Sequence, residues 1–538
     1  MNRKDFLFRL GVPLLPLPVA AVGRAADATP DAGAPSFSGL PWLNVRSHGA
    51  KGDGQTKDTR AIQAAIDAAG QTGGMVCLPP GRYLSGTLRL RSHVGFWLDP
   101  GATLVASPDQ ADFDPYEKLS FKPVDDEETT YFNYALLRGE DLEHVSIFGA
   151  GTIEGNRRKR GGPKPIALKN CRHVAVRDLT IQNAPNYNVS LLGCDYVDIQ
   201  GVTIRNGYCD GIDPDCCRFV RIANCYVESW DDAIVPKASF ALGVRRSTEH
   251  LTVTNCVLTT ACNAFKLGTE ASGDFKNIVL SNCAIFARED LWKRRPTSGV
   301  SIEMVDGAVI DRVVVANLAL ADVQAPIFIR LGNRGRAQAT PTPGQLQHVS
   351  IADICATGAS LASSITGIPG YDVRRVTLKN VRVSARGGGT PEMARKEVPE
   401  LEGKYPDAGM FGGLPAYGLF CRHVEGLELD SVKFHLEAPD ARPAVVITQA
   451  SNLDLRNLTA DPPSGEEPVI SLRDVRDALL RGCRAQKGTK CFVHLSGAQT
   501  AQLRALGNDF SQATVPFRLD EDVPRQTARE EANLKPAP

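Results

Sequence analysis

The chain carries no surplus of either charge, 61 Lys and Arg standing against 61 Asp and Glu in 538 residues. That balance excludes the basic field with which nucleic-acid and anionic-membrane binders gather their partners, and neither partner is expected. After the first 28 residues no apolar run approaches the length of a bilayer-spanning helix. No histidine stands at zinc spacing from any of the fourteen cysteines, so neither a metal nor a cofactor is expected. Gly149-Ala-Gly151 lacks the context of a phosphate loop, and no serine-histidine triad is suggested. Also missing is a signature of disorder: 43% of the residues are hydrophobic, enough for a large core.

What is present begins with an export signal over residues 1–28. Arg3, Lys4 and Arg9 precede the apolar run Leu10 to Val22, and Ala26-Asp-Ala28 fits a small-x-small cleavage site. The run contains Pro13, Pro16 and Pro18 and is too short for a membrane span. Arg3-Lys4-Asp5-Phe6-Leu7 also resembles a twin-arginine signal with one Arg replaced, the kind that exports folded proteins. Residues 29–42 read as a linker, and the mature chain is expected in the periplasm or outside the cell.

A repeat organises the rest. The strand-like units Val145-Ser-Ile, Val174-Ala-Val, Val197-Asp-Ile, Val220-Arg-Ile, Leu251-Thr-Val, Ile278-Val-Leu, Val313-Val-Val, Val349-Ser-Ile and Val376-Thr-Leu recur at intervals of 23 to 36 residues. Short Val/Ile/Thr-rich strands with Gly, Asn and Asp turns, and no long amphipathic helix between them, predict an all-β solenoid, a right-handed single-stranded parallel β-helix over 43–519. A leucine-rich repeat would need repeated Leu positions that are missing. One helix is predicted from Thr59 to Ala69, with Asp58 as N-cap, Gly70 as stop and Ile62 and Ile66 on one face. It would cap the open end of the solenoid, whose bare terminal coil would otherwise offer unpaired backbone to other chains. Residues 387–418 break the repeat and are expected to form a long loop leaning on one face. The polar stretch 520–538 is expected to be disordered.

Cys171, Cys225, Cys256 and Cys283 each follow an Asn, and Cys194 and Cys217 share one repeat position. That regularity predicts stacked interior thiols acting as small hydrophobes, with one or two disulfides among them. His144, His173, His250 and His348 each precede the first apolar residue of a coil, and His423 has the same setting. A repeated turn position explains them better than catalysis.

Asp210 stands 21 residues before Asp231-Asp232, close to the local repeat length, so three carboxylates can converge on one surface patch. Adjacent strand residues point to opposite faces, so Asp231 and Asp232 can share that patch only at a strand end or bulge. Taken alone, such acids are as readily turn formers, and Asp213 and Asp215 are read that way.

Leu43 to Gly54, the helix after it, Gly73-Gly74 and Pro79-Pro-Gly-Arg-Tyr83 resemble the N-terminal cap of the pectin-degrading β-helix superfamily. Asp210-Gly-Ile-Asp-Pro-Asp-Cys216 and Trp230-Asp-Asp232 resemble the two carboxylate motifs of the polygalacturonases, glycoside hydrolase family 28. The resemblance implies an exported, monomeric glycoside hydrolase acting on a pectic polysaccharide or oligosaccharide. Glycosidic cleavage needs a protonated carboxyl to release the leaving oxygen and a carboxylate to activate water, and crowded like charges keep one acid protonated. By resemblance Asp231 is the general acid, Asp210 and Asp232 hold the water, and the outcome is inversion, for which a diagonal pair across one coil step would give the usual separation of about 6.5 to 9.5 Å. Trp230 would help to shape the site.

The chain departs from that family where a Gly-His-Gly and an Arg-Ile-Lys motif are usual. Ala261-Cys262-Asn263 and Ser301-Ile-Glu303 stand there instead. Ser and Glu in place of two cations would repel a uronate at that subsite. Lys266, Lys237 and Arg330 are candidates for relocated cationic contacts to substrate, and Glu303 for a sugar hydroxyl. The rival readings are a polysaccharide lyase on the same fold and a carbohydrate-binding β-helix without activity.

Overall fold

The computed structural model describes residues 42–536, so the export signal expected at 1–28 lies outside the described residues. From Trp42 onward the chain winds as a right-handed parallel β-helix, and the pairings between its strands are parallel. Val145, Val174, Val197, Val220, Leu251, Ile278, Val313, Val349 and Val376 stand opposite one another in consecutive rungs. All are buried. Each rung thus stacks one branched aliphatic chain on the next, at about 1.5 to 3 kcal/mol of apolar burial per side chain. No helix among the described residues is long and apolar enough to cross a membrane.

The residue before each of these aliphatic positions turns the chain inward through a left-handed conformation. His144, His173, His250 and His348 have φ of +54° to +56°, and His423 has +52°. Three of the rings join a surface column, in which His93, His144, His173, Tyr196, Phe219 and His250 stack at centroid spacings of 4.5 to 5.3 Å, while His348 pairs with Asp311 and the buried His423 with Glu400. These histidines form corners and lie outside the aspartate cluster.

The capping helix α1, Thr59–Thr72, buries Ile62 and Ile66 completely against the first coils. Two details differ from expectation. Asp58 makes no side-chain cap; its carboxylate accepts the Lys51 and Gly52 amides at 2.7 and 2.9 Å and so ties down the preceding turn. The helix continues through Gly70 and ends at Gly73, whose φ of +74° no ordinary side chain tolerates well.

The long loop lies across the strands Ala325–Leu331 and Leu419–Asp430, with a small core of its own. Phe411, Leu414 and Ala416 from the loop pack with Phe328, Phe420 and Val446 from the solenoid face. Arg330 and Arg422 pin it by donating to the carbonyls of Glu400, Val398 and Pro399. At the C-terminus, Ala528–Glu531 pairs in parallel with Ala501–Leu506. The described part of the tail expected to be disordered, residues 520–536, thus carries a further partial coil, built because the edge strand still offers unpaired amides.

All fourteen cysteines are free thiols, which corrects the expected disulfides. Cys171, Cys194 and Cys217 form one buried column. Cys225, Cys256 and Cys283 form a second. Cys171 thus belongs with Cys194, although it shares its Asn-Cys pair with the other column.

Candidate active site

Asp210 sits in the turn ahead of the strand Ile212–Asp215, and Asp231-Asp232 in the turn after Tyr226–Ser229 on the next coil. Both acids of the pair can face one way because they lie past the strand end. Ser229 donates to both their carbonyls, and Thr260 donates to that of Asp231. Gly211 follows Asp210 where a Cβ would meet the Ala233 carbonyl oxygen at 2.4 Å, so only glycine lets the two turns nest. The carboxylate oxygens of Asp210 and Asp231 approach within 4.8 Å, as do those of Asp231 and Asp232. That is closer than the spacing expected of an inverting pair. The thiols of Cys209 and Cys262 flank Asp231 at the same range.

The three acids have different surroundings. Asp210 and Asp232 are buried, whereas the Asp231 side chain is 26% exposed. Asp210 accepts the Asp232 amide at 3.2 Å and the Lys237 ammonium at 2.8 Å. Lys237 also donates to Asp213 at 2.7 Å and lies 3.9 Å from the centre of the Tyr187 ring. One ammonium cannot neutralise two buried carboxylates, and burial pushes Asp210 well above the usual carboxylate range and Asp213 to about 6. Asp232 goes the other way. Burial works against its charge, but Lys266 at 3.0 Å and the Asn263 side-chain amide at 2.7 Å outweigh it and hold the group below its ordinary range. Asn263 is itself oriented by Ser298, which donates to its Oδ1 at 2.7 Å.

The candidate substrate contacts fall elsewhere than expected. Lys237 and Lys266 are 3% and 4% exposed and committed to the aspartates from behind, so neither is free to meet a sugar carboxylate. Glu303 is buried on Ser301, with its second oxygen 3.9 Å from Lys266, and burial pushes it to about 7. Arg330 is sealed beneath the long loop. Only Trp230 stays half-open beside Asp231, its ring edge-on to Trp292 and 5.2 Å from the Arg294 guanidinium.

Other residues complete the site. Arg160 donates from Nη1 to Asp231 Oδ2 at 2.6 Å and from Nε to Glu128 Oε1 at 2.8 Å. Tyr405, from the long loop, shares a hydrogen bond with Lys266 at 3.0 Å. Asp125 accepts the Phe240 amide at 2.9 Å, and Arg336 reaches both Asp125 and Glu270. Glu128 thus stands beside Asp231 through Arg160, Tyr405 stands beside Lys266, and Asp125 is tied through Arg336 to Glu270. None of these contacts has a local sequence signal, since the partners stand 71 residues apart for Arg160 and Asp231 and 139 for Tyr405 and Lys266.

Two family models match the chain: "Rhamnogalacturonase A/epimerase, pectate lyase-like" over residues 42–108, and "Glycosyl hydrolases family 28" over residues 125–402. Among curated relatives, a probable polygalacturonase of Vitis vinifera is 26% identical over 63% of this chain and 75% of its own length. An exo-poly-alpha-D-galacturonosidase of Dickeya chrysanthemi is 23% identical over 62% of this chain and 65% of its own length. Among solved structures, a hyperthermoactive exopolygalacturonase of Thermotoga maritima superposes with a TM-score of 0.58 at 18% identity, covering 74% of this chain and 92% of its own. The family 28 exopolygalacturonase of Yersinia enterocolitica gives 0.52 at 17% identity, covering 82% and 78%. These two share the parallel β-helix.

Proposed function

The chain belongs to glycosyl hydrolases family 28 and is a glycoside hydrolase acting on pectin, and from that premise we propose that it releases residues from the end of a galacturonan chain, with Asp231 as general acid. In this reading Asp231 gives its proton to the glycosidic oxygen as the C1–O bond breaks. Water attacks C1 from the other face and passes a proton to Asp232, which Lys266 and Asn263 keep anionic. Asp210, fixed by Lys237 and the Asp232 amide, positions that water. The observation that carries the assignment is the asymmetry of the trio: one carboxylate open to substrate, two buried behind it and each on its own lysine.

Terminal attack is proposed because the long loop brings Tyr405 to the buried Lys266 of the site, leaving less room for the middle of a chain. The relatives named as exo-acting agree with that choice. Inversion is proposed from the third carboxylate, which a double-displacement pair does not need and a held water does, although the oxygens lie closer than the usual inverting separation. Action as a monomer, and export to the periplasm or beyond by way of residues 1–28, belong to the same proposal.

The test is to incubate the protein and its Asp231→Asn variant with oligogalacturonates and follow product length, product anomer and absorbance at 235 nm. Terminal products from the first minutes, of inverted anomer and abolished by the substitution, are expected. A ladder of intermediate lengths would overturn terminal action, retention would overturn the water-holding role, and absorbance at 235 nm would mean a lyase.

A further inference from the structure

We infer that Arg160 is both the receptor for a substrate carboxylate and a lock on the general acid, so that a uronate, and not a neutral sugar, releases Asp231 for proton donation. The inference rests on the assignment of Asp231 above. It starts from which cations touch the acids and are still open to substrate. The positions where the family usually carries an arginine and a lysine hold Ser301 and Glu303, both buried. Lys237 and Lys266 are buried on the aspartates. Arg334 is taken by Asp306, and Arg336 by Glu270 and Asp125. The exposed Lys293 and Arg294 line a recess with Ala261, Thr297 and Gln324 and form no ion pair with the trio. Arg160 is different: its side chain is 44% exposed, and it already grips the acid.

The grip itself has a consequence. Asp231 Oδ2 accepts from Arg160 and Oδ1 accepts the Asp232 amide at 3.1 Å, so both oxygens are held as acceptors and neither is placed to carry the proton a leaving group needs. The contact must break before the reaction. Arg160 is divided between two separate carboxylates, one N–H to each, although a guanidinium is best matched by both oxygens of a single carboxylate. A uronate entering the site offers that fork and an equal charge, so one anion exchanges for another at small net change. A hydroxymethyl group or a methyl ester offers neither. Recognition of the substrate charge is thereby tied to arming the acid, and discrimination falls on the chemical step as well as on binding.

The experiment compares an oligogalacturonate with its carboxyl-reduced counterpart on the wild-type protein, Arg160→Gln, Arg160→Lys and Asp231→Asn. For Arg160→Gln the expected result is a fall in kcat/KM on the galacturonate of about 100-fold, the scale of a lost charge-assisted pair. On the reduced oligomer the same variant should gain several-fold, because the lock is gone. Arg160→Lys should fall between. Equal losses on both substrates would make Arg160 a structural brace, and an unchanged rate on the galacturonate would remove it from recognition; either overturns the inference while leaving the hydrolase reading intact. A wild-type protein inactive on every pectic oligomer, or an active Asp231→Asn variant, would instead overturn the functional reading, and this inference with it.

Discussion

Glu303 and Asp125 are carboxyls that the fold buries without full compensation. Each keeps one side-chain oxygen with no hydrogen-bond partner. Burial first of all, and for Asp125 also the nearby Glu270, pushes each to about 7. In the unfolded chain both would titrate near 4, so between about pH 4 and 7 the native state binds protons that the unfolded state has released, and stability falls as pH rises across that window. The melting temperature is expected to drop by a few degrees from pH 5 to pH 8, and Glu303→Gln and Asp125→Asn should each flatten the drop. A melting temperature that rises over the same range, or variants that keep the full slope, would contradict this. At this scale the sequence was readable only where the repeat made it so. Asp210, Asp231 and Asp232 stand out because about one coil length separates them, and the resemblance of their two motifs to those of family 28 sets them apart from turn-forming acids. Asn263, Arg160 and Tyr405 do not: an asparagine, one arginine in the run Arg157-Arg-Lys-Arg160, and a tyrosine in a loop acquire meaning only through partners that no local spacing predicts.

Among the elements, the long loop 387–418 has the clearest testable role. Its small core covers Phe328, Phe420 and Val446, and its Tyr405 meets Lys266 at the edge of the site. Replacing residues 390–412 by a short turn should open that side of the site, and oligogalacturonate products should change from terminal units to a mixture of lengths. Persistence of terminal products alone would place the barrier in the segment around Asp125 and Glu128. Some solubility should be lost too, since the uncovered side chains form an apolar patch. The sequence marks this loop because it interrupts the repeat, but its docking face is decided by Arg330 and Arg422, which resemble surface cations until the loop carbonyls are seen beside them. The segment carrying Asp125 and Glu128 left no trace at all. It lies between the strands Ala102–Ala106 and Ala135–Glu140, ahead of the first of the nine aliphatic repeats, where the sequence has no period to depart from.

For the molecule as a whole, the nine-rung aliphatic ladder was legible residue by residue, because parallel in-register stacking makes sequence period and spatial neighbour the same thing. Its C-terminal end was not, since the last strand is polar and owes its place to the open edge of Ala501–Leu506 and not to its own side chains. The thiol columns lie between these cases: stacking could be read, pairing could not. Alkylation of the native protein followed by mass analysis should label Cys355, the exposed thiol, ahead of the half-buried Cys77 and Cys262, and leave the other eleven untouched until unfolding. Added reductant should leave the melting temperature where it was; a fall would mean that a bridge forms after all. The columns bear finally on when the protein can fold. Nothing in this solenoid waits for an oxidant, so the coils can close fully in a reducing compartment as they emerge from synthesis. Under the export proposed above, crossing a membrane can then follow folding as well as precede it.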